Sequence, residues 1–237
     1  MIELSHGDCL EEMKKIPDVS IDLVLTDPPY GTTACTWDTV IPFEPMWEQL
    51  KRVTKKNGAI VLFGSEPFSS ALRMSNVKMF KYDWYWKKDR ASNHLNAKNQ
   101  PMRNIECVSV FGVKSYNPVM ENWGKPSHSV GSKNGKMGGG TTTGVFKTIN
   151  ADLETNTKYP RTMIEFNMPH PRIHPTQKPV ALMEYLIKTY TNENETVLDF
   201  TMGSGTTMLA CKNLNRNGIG IELDKEYFEI AKKRVNT

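Results

Sequence analysis

Short β-type runs alternate with helix-type runs along most of this chain, and no other feature narrows its fold as much. Alternation at that spacing predicts an α/β fold, a parallel sheet with crossover helices. Strands are expected at 2–6, 21–25, 59–63, 82–86, 105–111, 161–166, 196–199 and 218–222. A short helix should end near Lys15, with others at 43–53, 65–74, 179–190, 205–215 and 225–235. Met46, Leu50 and Val53 share one face of the second helix. Asn57-Gly58 is expected to break the chain before the strand 59–63. Pro179 suits the first turn of a helix, where a missing amide costs nothing.

The pattern fails from roughly Gly112 to Tyr159. Seven of the sixteen glycines fall between Gly124 and Gly144. Such a stretch buries little apolar surface and is expected to be mobile until a ligand orders it. Charge is uneven in the same way: between Lys81 and Lys178 there are 15 Lys+Arg against 7 Asp+Glu, whereas the flanks carry 15 against 19. A basic middle in an otherwise near-neutral chain fits either a polyanion-binding segment or a solvated loop. The rest excludes other classes. No apolar run reaches membrane-spanning length, and Met1-Ile2-Glu3-Leu4 does not begin a secretory signal. Cys9, Cys35, Cys107 and Cys211 lie far apart without a C-x-x-C pair, so free thiols in a cytoplasmic protein are expected, with no metal.

Two segments carry chemistry. The run 196–207 reads as a strand, a glycine turn and a helix start. In it Gly203 and Gly205 let backbone approach a ligand closely. The following strand ends in Glu222, an acceptor placed where ribose hydroxyls sit in dinucleotide-type folds. The spacing lacks the third glycine used for a pyrophosphate, which favours a nucleoside such as S-adenosylmethionine over NAD. The second segment is Asp27-Pro28-Pro29-Tyr30. Its prolines stiffen the loop and remove two amide donors, leaving the Asp27 carboxylate and the Pro28 carbonyl as acceptors. Two acceptors gripping an aromatic amine would favour a more tetrahedral nitrogen with its lone pair aimed at an electrophile. Tyr30 could stack on the ring so held.

Together these residues resemble the β group of DNA amino-methyltransferases, in which D-P-P-Y comes first, target recognition lies in the middle and F-x-G-x-G is near the end. Here the order is Asp27–Tyr30, roughly Lys114–Pro171, then Phe200 to Gly205. The resemblance implies a Rossmann-like S-adenosylmethionine-dependent methyltransferase fold with circularly permuted motif order. Residues 1–113 and 172–237 would form the catalytic domain, and 114–171 an irregular target-recognition insertion. Asp27, Pro28, Pro29 and Tyr30 would be catalytic. Asp8, Cys9, Asp27, Asp199, Phe200, Gly203, Ser204, Gly205, Thr206 and Glu222 would hold the cofactor. His174, Thr176, Gln177 and Lys178 would cover its methionine end, His174 as pocket structure and not as a base. Trp37-Asp38, Trp86-Lys87 and Asn96-Ala97-Lys98 match accessory positions.

The permutation also predicts a neighbour. The strand ending at Asp199 should lie beside the strand ending at Asp27, with the C-terminal part supplying the first two strands and the N-terminal part the rest. Lys87, Lys88, Arg90, Lys125, Lys133 and Lys136 are candidate phosphate contacts to double-stranded DNA, and Lys147 lies in the same basic region. Trp84-Tyr85-Trp86 reads as core alternation, and Met74 and Met79 as core filler. The activity implied is site-specific methyl transfer to adenine N6 of a flipped base. Cytosine N4, an RNA or protein amine, and a nucleoside-sensing DNA-binding protein are the alternatives. The sequence leaves open the recognised site, a homodimer and a restriction endonuclease partner.

Overall fold

The computed structural model of the protein describes residues 1–32, 38–112, 115–122, 157–171 and 173–236. In chain order the elements are β1 (Ile2–His6), α1 (Cys9–Met13), β2 (Ile21–Thr26), α2 (Phe43–Val53), β3 (Thr54–Gly64), α3 (Phe68–Ser75), β4 (Phe80–Ser92) and β5 (Arg103–Phe111). They continue as β6 (Glu121–Asn122), β7 (Thr157–Lys158), β8 (Met163–Glu165), α4 (Val180–Tyr190), β9 (Thr196–Asp199), α5 (Thr206–Asn213), β10 (Asn217–Glu222) and α6 (Lys225–Asn236). Two compact units form: Met1–Asn117 with Arg161–Thr237, and Pro118–Pro160. In the second, β6 pairs antiparallel with β7. The glycine-rich stretch lies outside the described residues, together with Lys125, Lys133, Lys136, Lys147, Cys35 and Trp37.

The first unit is built on a sheet of order β1-β10-β9-β2-β3-β5-β4-β8. Its central strands are apolar on both faces because helices cover both. Leu23 and Leu25 of β2 and Ala59, Val61 and Phe63 of β3 pack with α4, α5 and α6. Val24, Ile60 and Leu62 point to the other face, against α1, α2 and α3. This is the double burial that makes parallel strands read as continuous hydrophobic runs. β9 pairs parallel with β2, Leu23 facing Val197 and Val24 facing Leu198, so the carboxyl ends carrying Asp27 and Asp199 adjoin as expected.

Several features depart from the sequence reading. β1 does not join the other N-terminal strands; it lies beyond β10, pairing Ile2 with Gly218 and His6 with Glu222. The C-terminal pair β9–β10 therefore sits between β1 and β2. β5 is antiparallel to both β3 and β4, so the sheet is mixed. Asn57-Gly58 does not break the chain before the strand: β3 starts at Thr54, runs through both residues, and absorbs the extra ones where its register with β2 shifts. Residues 161–171 stay with the first unit, because β8 pairs with β4 at Tyr85–Met163. Met74 is 73% exposed and fills no core. Trp84 and Trp86 are buried while Tyr85 between them is exposed, the alternation expected of a strand. Among the described residues, Cys9, Cys107 and Cys211 are free thiols and no helix is long and apolar enough to cross a membrane.

Candidate active site

The glycine turn after β9 is shaped by backbone that only glycine adopts without strain. Gly203 has φ +52° and Gly205 φ +76°, and Gly205 leads directly into α5. A Cβ on Gly205 would lie 2.9 Å from the Ala231 Cβ on α6. Gly205→Ala should therefore cost about 2 kcal/mol and lower Tm by roughly 4–8 °C. Thermal unfolding measures this, and an unchanged Tm would mean that the turn relaxes freely.

Glu222, at the carboxyl end of β10, faces this turn. Its Oε2 accepts the Gly203 amide and its Oε1 the Asp224 amide, both at 2.8 Å. Burial pushes its carboxyl up, and those two amides pull the other way. The carboxylate is fixed by two donors and each oxygen keeps acceptor capacity. Ser204 and Thr206, by contrast, are engaged from behind by the Arg234 guanidinium, at 3.4 and 2.9 Å from their hydroxyls. Asp8 caps α1, its Oδ1 accepting the Leu10 amide at 2.8 Å.

Asp199 ties the two strand ends together. Its carboxylate accepts the hydroxyls of Thr26 and Thr207 and the Thr201 amide. Burial raises its pKa to about 6 against those three hydrogen bonds. Thr201 also donates to the Asp27 carbonyl at 3.1 Å, joining the glycine turn to the proline loop. That loop is further held by Asp38, whose oxygens accept the amides of Tyr30, Gly31 and Thr32 at 2.8–2.9 Å.

The Asp27 carboxylate sits inside a cluster of charges. Tyr30 donates its hydroxyl to Oδ1 and Lys178 its ammonium to Oδ2. Lys178 also lies 3.3 Å from Glu106 of β5, which pairs with Lys88 of β4 through its other oxygen. Burial pushes the Asp27 carboxyl above the ordinary carboxylate range, and Lys178 offsets only part of that. Burial also opposes the Lys178 charge, but Asp27 and Glu106 outweigh it and hold the ammonium protonated. The Tyr30 ring stacks on Phe68, centroids 5.0 Å apart.

His174 is neutral at physiological pH, because burial and then Lys178 lower its pKa to about 4. Its Nδ1 accepts the Thr176 amide at 3.2 Å, which leaves the proton on Nε2. Nε2 lies 3.6 Å from where a Cβ on Gly203 would sit, and the ring packs edge-on against Tyr227. Gln177 closes the same segment by accepting the Ile173 amide at 2.9 Å.

The structure gathers most of the expected residues. All of the residues expected at the cofactor except Gly205 line one cavity of about 360 Å³, and Pro29 lines it too. Lys88 is a correction. Its side chain is only 11% exposed and serves the interior charge cluster, so it is not a surface phosphate contact. Lys87 pairs with Glu165 at 2.9 Å, and the exposed Arg90 lies 3.6 Å from Asp89. The sequence reading missed Glu106, Phe68, Tyr227 and Arg234. Glu106 alone carried a signal, as an acid set between Ile105 and Cys107.

A fixed carboxylate, a glycine turn and a proline-stiffened acceptor loop meet here at neighbouring strand ends around one cavity. That is the build of a nucleoside-binding transferase with a Rossmann-like sheet. More narrowly, the chain belongs to the DNA methylase family of N6/N4 methyltransferases, whose sequence pattern matches residues 21–233. Among its relatives, the type II methyltransferase M.HpaI of Haemophilus parainfluenzae is 29% identical over 98% of this chain and 73% of that protein. The DNA adenine methyltransferase YhdJ of Escherichia coli is 26% identical over 98% of this chain and 81% of its own length. The crystal structure of the M1.HpyAVI–SAM complex superposes with TM-score 0.68 at 30% identity, both chains fully covered. The cytosine-N4-specific PvuII DNA methyltransferase shares the fold, with TM-score 0.69 at 16% identity over 98% of this chain and 86% of that one.

Proposed function

We propose that this chain is a site-specific DNA methyltransferase that transfers a methyl group from S-adenosylmethionine to adenine N6. The observation carrying this reading is that the Asp27 loop and the Gly203–Glu222 nucleoside pocket open into one cavity. Family membership and the adenine methyltransferase among the relatives support the substrate.

The residues fit the cofactor. Glu222 offers two fixed acceptors suited to a ribose diol, and the glycine turn keeps side chains out of the way. A volume of about 360 Å³ lies within the usual range for such ligands. His174 would present its Nε2–H over Gly203, and Phe200 would offer an apolar wall. When bound, S-adenosylmethionine supplies an electrophilic methyl on a sulfonium that leaves as a neutral sulfide. The chain itself has to hold and orient the amine. Asp27 and the Pro28 carbonyl would accept its two hydrogens, and Thr201 keeps the loop in place through the Asp27 carbonyl. The amine is the nucleophile, and its proton departs after the new N–C bond forms. The second unit, Pro118–Pro160, would read the target sequence, and Lys87 and Arg90 would meet phosphates.

The pH dependence follows from the charge cluster. Asp27 must be ionised to accept from the amine, and its pKa is raised, so activity should be lost as pH falls. The acid limb of kcat/KM is expected above the ordinary aspartate range near 4. His174, with a pKa of about 4, adds no limb between roughly pH 5 and 8. A pH profile flat down to the ordinary aspartate range would contradict the assignment of Asp27.

The function is tested with labelled S-adenosylmethionine offered to duplex DNA and to RNA, followed by digestion to nucleosides. Label in N6-methyldeoxyadenosine is expected. Label confined to RNA, or none on either, would overturn the reading.

A further inference from the structure

One acceptor of the charge cluster lacks an aligned donor among the described residues. Glu106 Oε1 takes the Lys88 ammonium, while Oε2 is buried without a hydrogen bond although Lys178 Nζ lies 3.3 Å away. That ammonium is committed to Asp27 Oδ2. It therefore stands between two carboxylates, bonded to the one that an incoming base amine needs. Asp27 Oδ1 is occupied as well, by the Tyr30 hydroxyl. The Lys178 side chain is 7% exposed, so its charge cannot be handed to water. A buried ammonium without a partner is very costly, and Lys178 can leave Asp27 only if another carboxylate receives it.

We propose that Lys178 is a two-position cation, bonded to Asp27 while no base is present and to Glu106 once the target amine occupies Asp27. Glu106 is then a positioning residue that makes room for the amine without touching it. The inference rests on the amine-methylation reading above. The geometry asks little: closing 3.3 Å to an ordinary charged hydrogen bond is a shift of about half an ångström, within reach of a flexible four-carbon stem. Asp27, Glu106, Lys88 and Lys178 sum to zero charge in both positions, so the exchange needs no proton. It also explains why an acid is placed between Ile105 and Cys107 of β5, where burial opposes its charge and the two lysines sustain it.

The test uses duplex DNA with 2-aminopurine beside the target adenine, whose fluorescence rises when that adenine leaves the stack. Glu106→Gln keeps the shape but removes the charge that receives Lys178. The ammonium then stays on Asp27, and both kcat and the fluorescence rise should fall about tenfold or more. S-adenosylmethionine affinity should stay within about twofold. The double variant Glu106→Gln with Lys178→Met removes the blocking cation as well and leaves the cluster neutral, with one carboxylate, Asp27, and one lysine, Lys88. It should recover the fluorescence rise that the single variant lost. A merely structural role predicts that the double variant is worse. Wild-type fluorescence and turnover in Glu106→Gln, or no recovery in the double variant, would overturn the exchange alone. Wild-type enzyme that transfers no methyl group to DNA would overturn the amine-methylation reading and the exchange with it.

Discussion

Replacing Asp27 with alanine is expected to lower methyl transfer by about a thousandfold or more while S-adenosylmethionine affinity stays within roughly tenfold, about 1.4 kcal/mol. The carboxylate is the proposed grip on the target amine, and preorganised acceptors of this kind act in the transition state without reorganising. The pocket around Glu222 does not depend on it, since the Gly203 and Asp224 amides hold that carboxylate. The variant should also fold. Lys178 loses one partner but keeps Glu106 within 3.3 Å, so no cation is stranded. Single-turnover kinetics with calorimetry of cofactor binding separates the two effects. Retention of a tenth or more of the wild-type rate would remove Asp27 from the chemistry, and a matching collapse of cofactor affinity would make it a pocket residue.

The second large effect belongs to Glu222. Glu222→Ala should weaken S-adenosylmethionine binding by about 1.5–3 kcal/mol, the scale of hydrogen bonds to a charged group. Two contributions act in one direction: the ribose acceptors are lost, and the Gly203 and Asp224 amides lose their partner. Glu222→Gln separates them in part, because its carbonyl oxygen still accepts one hydrogen bond while the charge is gone. Its loss should be the smaller of the two. Calorimetry showing unchanged affinity in Glu222→Ala would place the ribose elsewhere.

The chain reveals more of its layout than of its charge network. Central strands buried on both faces read as apolar runs, so β2, β9 and β10 are visible within a residue or so of their true ends. Motif order likewise pointed to β9 beside β2. The position of β1 was not legible, because strand partners across a sheet are chosen by long-range hydrogen bonding that local sequence does not encode. The start of β3 was missed for a local reason: Thr54-Lys55-Lys56-Asn57-Gly58 reads as a polar turn, yet β3 carries it as extra residues beside β2.

Within the site, residues fixed by backbone chemistry were the legible ones. Gly203, Gly205 and the two prolines announce turns through their own conformational limits. Asp27 and Glu222 stand at strand ends, where carboxylates have few structural reasons to be. Lys88 was misjudged because a lysine looks the same whether it is solvated or paired in the interior. Only the fold shows that it and Lys178 converge on Glu106. Tyr30 packs on Phe68 and turns its hydroxyl to Asp27, two contacts that local sequence does not announce.

Adenine N6 methylation is tested most directly by single-molecule sequencing of DNA from cells expressing the wild-type chain, beside cells expressing Asp27→Ala. Wild type should leave N6-methyladenine within a defined sequence context, and Asp27→Ala should leave none. N4-methylcytosine in the wild-type sample, or equal marks in both samples, would contradict it.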